Sequence, residues 1–276
     1  MDLYQLLVQP LTYEFMQRAM LAALMIGAIS GVIDCFVVVR GMSFFGDALS
    51  HSILPGVAIA YIFGADLFVG GLVAGIATAL GIGWLTGRGR LREDTAIGVV
   101  FVGMFALGIT IISSANSYAV DLTHILFGNV LGVRTTDLVI MGVSGVVVIG
   151  AIILFYKELL TQSFDPALMR TLRLPGEALR LLLLVLIAIT IVASLQTVGI
   201  ALMLAMLITP AATAQLLVRR LHRMMLVSAL IGMVSGVVGL YLSWRFNVPS
   251  GAVIVLTSTA IFLVVFAITR LRGNLE

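Results

Sequence analysis

Few side chains in this sequence are equipped for chemistry, and the most suggestive two lie close together. Asp47 and His51 are four residues apart, so a helix would set them on one face, about 6 Å apart along its axis. A carboxylate and an imidazole in that relation are ligands suited to a first-row divalent ion such as Mn²⁺, Fe²⁺ or Zn²⁺. Two ligands do not close a site that needs four to six. A second copy of the chain, related by a two-fold axis, would supply two more, and most homo-oligomers are two-fold dimers. The same spacing also suits an intramembrane hydrogen bond that stabilises a bundle, or a proton relay. Arg40 marks an interface. Eleven residues of continuous helix beyond it, about 16 Å, would carry His51 roughly halfway through a hydrocarbon core.

The other candidates are weaker. Asp121 and His124 form a second acid–imidazole pair at i and i+3, read either as a solvated loop or as an outer gate for incoming ions. His222 sits among Arg219, Arg220 and Arg223, as an interfacial residue would. Asp34, beside Cys35, is a charge inside an apolar run with no role to assign. Cys35 is the only cysteine, which excludes an intrachain disulfide and a thiolate metal cluster. The 13 methionines are dispersed through apolar runs, where packing accounts for them. Lys157 is the only lysine and does not lie in a GxxxxGK[ST] phosphate loop, so this chain does not itself hydrolyse ATP. A His-Glu-x-x-His zinc-protease motif is also missing from the sequence. Neither a catalytic residue nor a permanently bound cofactor is expected.

These side chains must be positioned by helices in a membrane. Of the 276 residues, 61% are hydrophobic and 11% charged, and the mean hydropathy is +1.18. A soluble domain carries about 25% charged residues, and a disordered chain is poor in apolar ones. A transmembrane barrel would show alternating strands of about ten residues, not continuous apolar runs of about twenty. The expected class is all-α, a polytopic transmembrane bundle forming one integral membrane domain over residues 1–276. The pI near 9.4 does not point to nucleic acid, because the arginines are scattered through short connections rather than gathered on one face.

Nine apolar segments stand out, at 15–38, 43–63, 67–86, 96–113, 136–156, 179–195, 198–217, 224–243 and 251–271. The segments at 179–195 and 198–217 read as a hairpin linked at Gln196–Thr197. An amphipathic Leu3–Leu7 stretch ending at Pro10 would lie along an interface, leaving about eight to nine spans. The lack of a basic region before Arg18 argues against a cleavable leader. Arg40, Arg88, Arg90, Arg92, Lys157, Arg170, Arg173, Arg180, Arg219, Arg220, Arg223, Arg270 and Arg272 fall on one side. That is 13 of the 16 basic residues, leaving Arg18, Arg134 and Arg245 opposite. The positive-inside rule then places the C-terminus in the cytoplasm and the N-terminus outside.

Two connections are longer than a turn requires. Residues 114–135, outside, hold Asp121, His124 and the apolar run Ile125–Leu131, which fits a sheltered half-helix. Residues 157–178, inside, hold Phe164-Asp165-Pro166 followed by Leu174-Pro175-Gly176. Pro166 suits a helix N1 position with Asp165 as its cap, and Pro175 should stop that helix two turns later. Gly27/Gly31, Gly71/Gly75 and Gly232/Gly236 are GxxxG pairs that permit close helix approach.

The stretch Val38-Val39-Arg40-Gly41-Met42-Ser43-Phe44-Phe45-Gly46-Asp47-Ala48-Leu49-Ser50-His51-Ser52-Ile53-Leu54-Pro55-Gly56 resembles the signature of bacterial metal-ion ABC-importer permeases of the zinc/manganese/iron class. Thr197-Val198-Gly199 through Pro210-Ala211-Ala212-Thr213-Ala214 resembles their second signature, and Phe164-Asp165-Pro166 their cytoplasmic coupling segment. The resemblance covers nearly the whole chain. It implies a type II importer in the bacterial inner membrane, with two permeases, most simply a homodimer, two cytoplasmic ATPases and an extracytoplasmic metal-binding protein. It also implies that Asp47 and His51 face the translocation path as transient ligands for transported manganese, zinc or iron. Asp34 has no counterpart in the family pattern. The alternatives are an ion-coupled secondary transporter and a siderophore or cobalamin permease of similar architecture. A polar pair aimed at a bare ion counts against the latter.

Overall fold

The structure is a computed structural model that describes residues 9–87, 91–114 and 132–273. Among these residues every regular element is helical. A 3₁₀ turn at Gln9–Thr12 precedes α1 (Glu14–Val39), followed by α2 (Phe45–Ser52), α3 (Leu54–Ile62), α4 (Leu67–Thr86) and α5 (Glu93–Ser114). Then come α6 (Thr135–Leu154), α7 (Tyr156–Phe164), α8 (Pro166–Thr171), α9 (Gly176–Val198), α10 (Ile200–Leu217), α11 (Leu221–Phe246) and α12 (Ser250–Gly273). Seven of these helices, α1, α4, α5, α6, α9, α11 and α12, are long and apolar enough to cross a membrane. The 18-residue α10 and the α2–α3 pair account for the other two apolar segments. The amphipathic stretch at Leu3–Leu7 lies outside the described residues.

Four expectations are corrected by local backbone chemistry. The segment at 43–63 is two helices rather than one, because Pro55 at the start of α3 has no N–H to give the His51 carbonyl and its ring crowds that turn. Helix α2 also starts only at Phe45, after a turn in which Gly41 adopts φ +69°. The climb to His51 is therefore six helical residues, about 9 Å rather than 16 Å. The link expected at Gln196–Thr197 falls instead at Gly199, whose φ of +84° is a conformation glycine adopts without penalty. The short helix after Phe164 begins as expected, with the Leu168 N–H donating to Asp165 Oδ1 at 2.9 Å. It stops at Thr171, before Pro175, where Arg173 takes a left-handed φ of +53° and Leu174 N–H bonds back to Met169 O.

The chain divides into two compact units. The first comprises Met1–Cys35, Ile125–Val146 and Ser194–Glu276. In it α10, α11 and α12 pack on one another, and α1 lies against α11 through small residues. A Cβ on Gly27 would stand 2.5 Å from Met233 N, and one on Gly31 2.5 Å from Ala229 Cα. Two of the GxxxG pairs, Gly27/Gly31 and Gly232/Gly236, are thus the close approach of this unit. The second unit comprises Phe36–His124 and Val147–Ala193. There α2 and α3 pack on α4 and α5, and Gly71 and Gly75 of α4 make room for Val192 of α9. This second unit holds the candidate site.

Candidate functional site

Helix α2 is short, and it divides its residues cleanly. Phe45, Gly46, Ala48, Leu49, Ser50 and Ser52 are buried. Its other face carries the two polar candidates, and Phe44, just before its first residue, is 80% exposed. Within the chain the Asp47 side chain is 51% exposed and that of His51 32%. Their spacing is realised as the i, i+4 arrangement, with His51 Nε2 3.6 Å from Asp47 Oδ1. That separation is too long for a direct hydrogen bond between the two. Two donors bound to one ion at about 2.1 Å stand roughly 3.0 Å apart at a right angle and roughly 3.4 Å apart at a tetrahedral one. A small side-chain rotation therefore brings both atoms onto one ion.

Helix α5 supplies a wall that periodicity alone had not singled out. Phe101 and Phe105 lie one turn apart, with ring centroids 5.9 and 5.7 Å from the His51 ring and 5.9 Å from each other. They cover the imidazole on one side and leave its Nε2 toward Asp47. Among the described residues no cluster of three His, Cys, Asp or Glu that could hold a metal ion is present. Asp121 and His124 lie outside the described residues. His222 is exposed at the start of α11. Phe164 ends α7 and is 59% exposed, with Asp165 and Pro166 forming the cap and first residue of α8.

A second polar cluster lies where α1, α4, α5 and α9 end or begin, within the same unit. Arg40 donates to Glu93 Oε1 at 3.2 Å, and Arg180 Nη1 stands 3.6 Å from the same oxygen. Arg180 also donates to Glu177 at 2.7 Å, to Thr86 Oγ1 and to the Gly83 carbonyl. The arginine side chains are only 10% and 9% exposed. Burial lowers the Arg40 pKa from its ordinary value, and the Glu93 carboxylate opposes that shift while the Arg180 charge adds to it. The guanidinium stays charged all the same. In the sequence Arg40 and Arg180 read only as orientation anchors. Glu93 opening an apolar run was the local signal that a partner would be required.

Residues 12–269 match the ABC 3 transport family over their whole extent. The chain belongs to that family. It is 48% identical to a manganese transport system membrane protein, MntC, of Listeria monocytogenes, over 95% of this chain and 94% of that protein. It is 39% identical to a probable iron transport system membrane protein of Haemophilus influenzae, over 98% of this chain and 99% of that one. Among solved structures it matches PsaBC from Streptococcus pneumoniae in complex with Fab, at 40% identity and a TM-score of 0.83, covering 96% of this chain and 95% of that one. The chain is thus an all-α, multi-pass membrane permease of the ABC class, and its role is passage rather than catalysis.

Proposed function

We propose that this chain is the permease subunit of an ATP-driven importer of divalent metal ions, with manganese as the foremost cargo and zinc and iron as the alternatives. The observation that carries this is the Asp47–His51 pair, held 3.6 Å apart on the open face of α2. Carboxylate oxygen and imidazole nitrogen suit first-row divalent ions, whereas a copper(I) site would call for sulfur ligands. An importer must bind its ion strongly enough to admit it and weakly enough to let it go. Two ligands from each of two copies, meeting across a permease dimer, satisfy that better than a closed site. The names of the manganese and iron transport relatives support the same class of cargo.

The proposed partners are those that the resemblance to metal-ion importer permeases implies. ATP must be hydrolysed elsewhere, on a pair of cytoplasmic ATPase subunits, and the segment Phe164-Asp165-Pro166 is the proposed docking point. An extracytoplasmic protein would deliver the ion, and Asp121 and His124 are the proposed outer gate. The orientation in the bacterial inner membrane has the C-terminus in the cytoplasm and the N-terminus outside, surrounded by lipid. The gathering of Arg40, Glu93 and Arg180 supports one end for these three connections.

The test is uptake of radioactive manganese by proteoliposomes containing the permease, its ATPase and its binding protein. Uptake should require ATP and should be reduced by competing zinc or ferrous iron according to their ranking as cargo. Uptake that persists without ATP and collapses with the proton gradient would replace this reading with secondary transport.

A further inference from the structure

We propose that Glu93, held between Arg40 and Arg180, is a positioning residue that ties the segment following Phe164 to the Asp47–His51 pair. Through it, movement at the ATPase-facing end reaches the ion ligands. The inference rests on the function proposed above, and it follows contacts within one compact unit.

The first half of the route runs from α8 to Arg180. Met169 of α8 is buried, and its carbonyl accepts the Leu174 N–H at 3.1 Å. Its side chain, with Gln162 of α7, lies against Gly176, the first residue of α9. Glu177 and Arg180 are the second and fifth residues of that helix, and the end of α4 rests on them through Gly83, Thr86 and Gly87. Arg180 is therefore fixed by several partners at once, and a shift of the head of α9 must carry its guanidinium along.

The second half runs from Glu93 to the ligands along two branches. Glu93 is the first residue of α5. Phe101 and Phe105 of the same helix, about 12 and 18 Å further along its axis, pack on His51. The other branch leaves through Arg40, which stands just before Gly41 at the turn into α2. That turn is closed by Met42 N–H to Val37 O at 3.0 Å and Phe45 N–H to Met42 O at 2.9 Å. Asp47 follows in the first turn of α2. One carboxylate thus faces both arginines, and both ligands of the ion pair hang from elements it holds. Coupling between sites travels through such contiguous packed and hydrogen-bonded groups when they have two discrete arrangements. A shared carboxylate that can favour one arginine or the other has two arrangements. In the structure it lies 0.4 Å nearer to Arg40 than to Arg180, at 3.2 against 3.6 Å.

The experiment measures ions transported per ATP hydrolysed in the reconstituted full complex, with manganese as probe. Glu93→Gln keeps shape and hydrogen bonding but loses the charge both arginines share. ATP hydrolysis should stay within about two-fold of wild type, because the docking segment at Phe164 is left unchanged. Ions per ATP should fall at least ten-fold, with the manganese concentration for half-maximal uptake little changed. Glu93→Asp, which restores the charge, should recover part of the ratio. If the single variant does not fold, Glu93→Gln with Arg40→Gln leaves a balanced Arg180–Glu177 pair and should be equally uncoupled. A wild-type ratio in whichever variant folds overturns the inference, and so does a loss of uptake matched by an equal loss of ATP hydrolysis. Phe164→Ala, run in parallel, separates the two readings, since it should lower ATP hydrolysis itself. If it does and Glu93→Gln keeps the wild-type ratio, only the relay falls. If Phe164→Ala changes nothing, the docking reading falls and the relay with it.

Discussion

Asp34 and Asp47 are thirteen residues apart and both lie in apolar segments, yet the fold treats them in opposite ways. Asp34 on α1 is 0% exposed, and among the described residues neither carboxyl oxygen has a hydrogen-bond partner. Asp47 on α2 is half exposed within its unit and has an imidazole nitrogen 3.6 Å away. The helices that carry them differ in the same sense. α1 is 26 residues long and pressed against α11 through Gly27 and Gly31. α2 is eight residues long and ends where Pro55 breaks the ladder. An intramembrane charge is a functional hypothesis by default. Charge alone is thus a coarse signal: under the proposed reading, a second donor and an open face beside it are what single out Asp47.

The largest expected effect comes from removing the charge that has both. Asp47→Asn keeps size and hydrogen bonding but loses the negative charge that offsets a divalent cation in a low-dielectric path. Metal accumulation should fall to background while membrane insertion and pairing with the ATPase persist, and His51→Ala should do the same. Uptake by Asp47→Asn at wild-type rate and affinity, with equal expression, would remove the ligand assignment. The ABC-permease fold would stand regardless.

A smaller but still sizeable effect is expected where packing, not charge, is at stake. Gly31→Val places a Cβ 2.5 Å from the Ala229 backbone, where no flexible side chain can give way. Overpacking of this kind costs about 1–3 kcal/mol. The yield of folded protein and its thermal unfolding temperature should both drop, whatever happens to uptake per folded molecule. A wild-type unfolding temperature would mean that α1 and α11 can separate without penalty, and that the surroundings of Asp34 are loosely packed.

How much of this was legible in the sequence depends on whether the deciding interaction was local. Each of the nine apolar segments has its helical counterpart, because span length is written directly in the run of apolar residues. Asp165 as a cap and Asp47 with His51 on one face were legible for the same reason, since each depends on three or four consecutive positions. The break after Ser52 was available in Pro55 but was masked by unbroken apolarity. The true link at Gly199 was missed by about three residues, because polar Gln196 and Thr197 attract attention while the backbone turns on a glycine. Arg40 and Glu93 are 53 residues apart, and no spacing rule connects them. Phe101 and Phe105 looked like ordinary apolar residues until α5 was seen beside α2.

The smallest effect should come from Asp34→Asn, and it sharpens the comparison most. The substitution nearly conserves volume and leaves the contacts of Gly27 and Gly31 with α11 in place. Among the described residues both Asp34 oxygens are without a hydrogen-bond partner, so the change breaks none of the hydrogen bonds described. A carboxamide, like a carboxyl group, is polar and gains no partner at this site. The unfolding temperature should therefore stay close to that of wild type. Metal uptake should stay within about two-fold, because the side chain faces packed helix rather than an open surface. Measured beside Asp47→Asn in the same vesicles, the two variants differ in sequence position and surroundings but not in the chemical change made. If Asp34→Asn also stops uptake while the protein stays folded, burial without a partner would mark a working group, and Asp34 would join the translocation machinery.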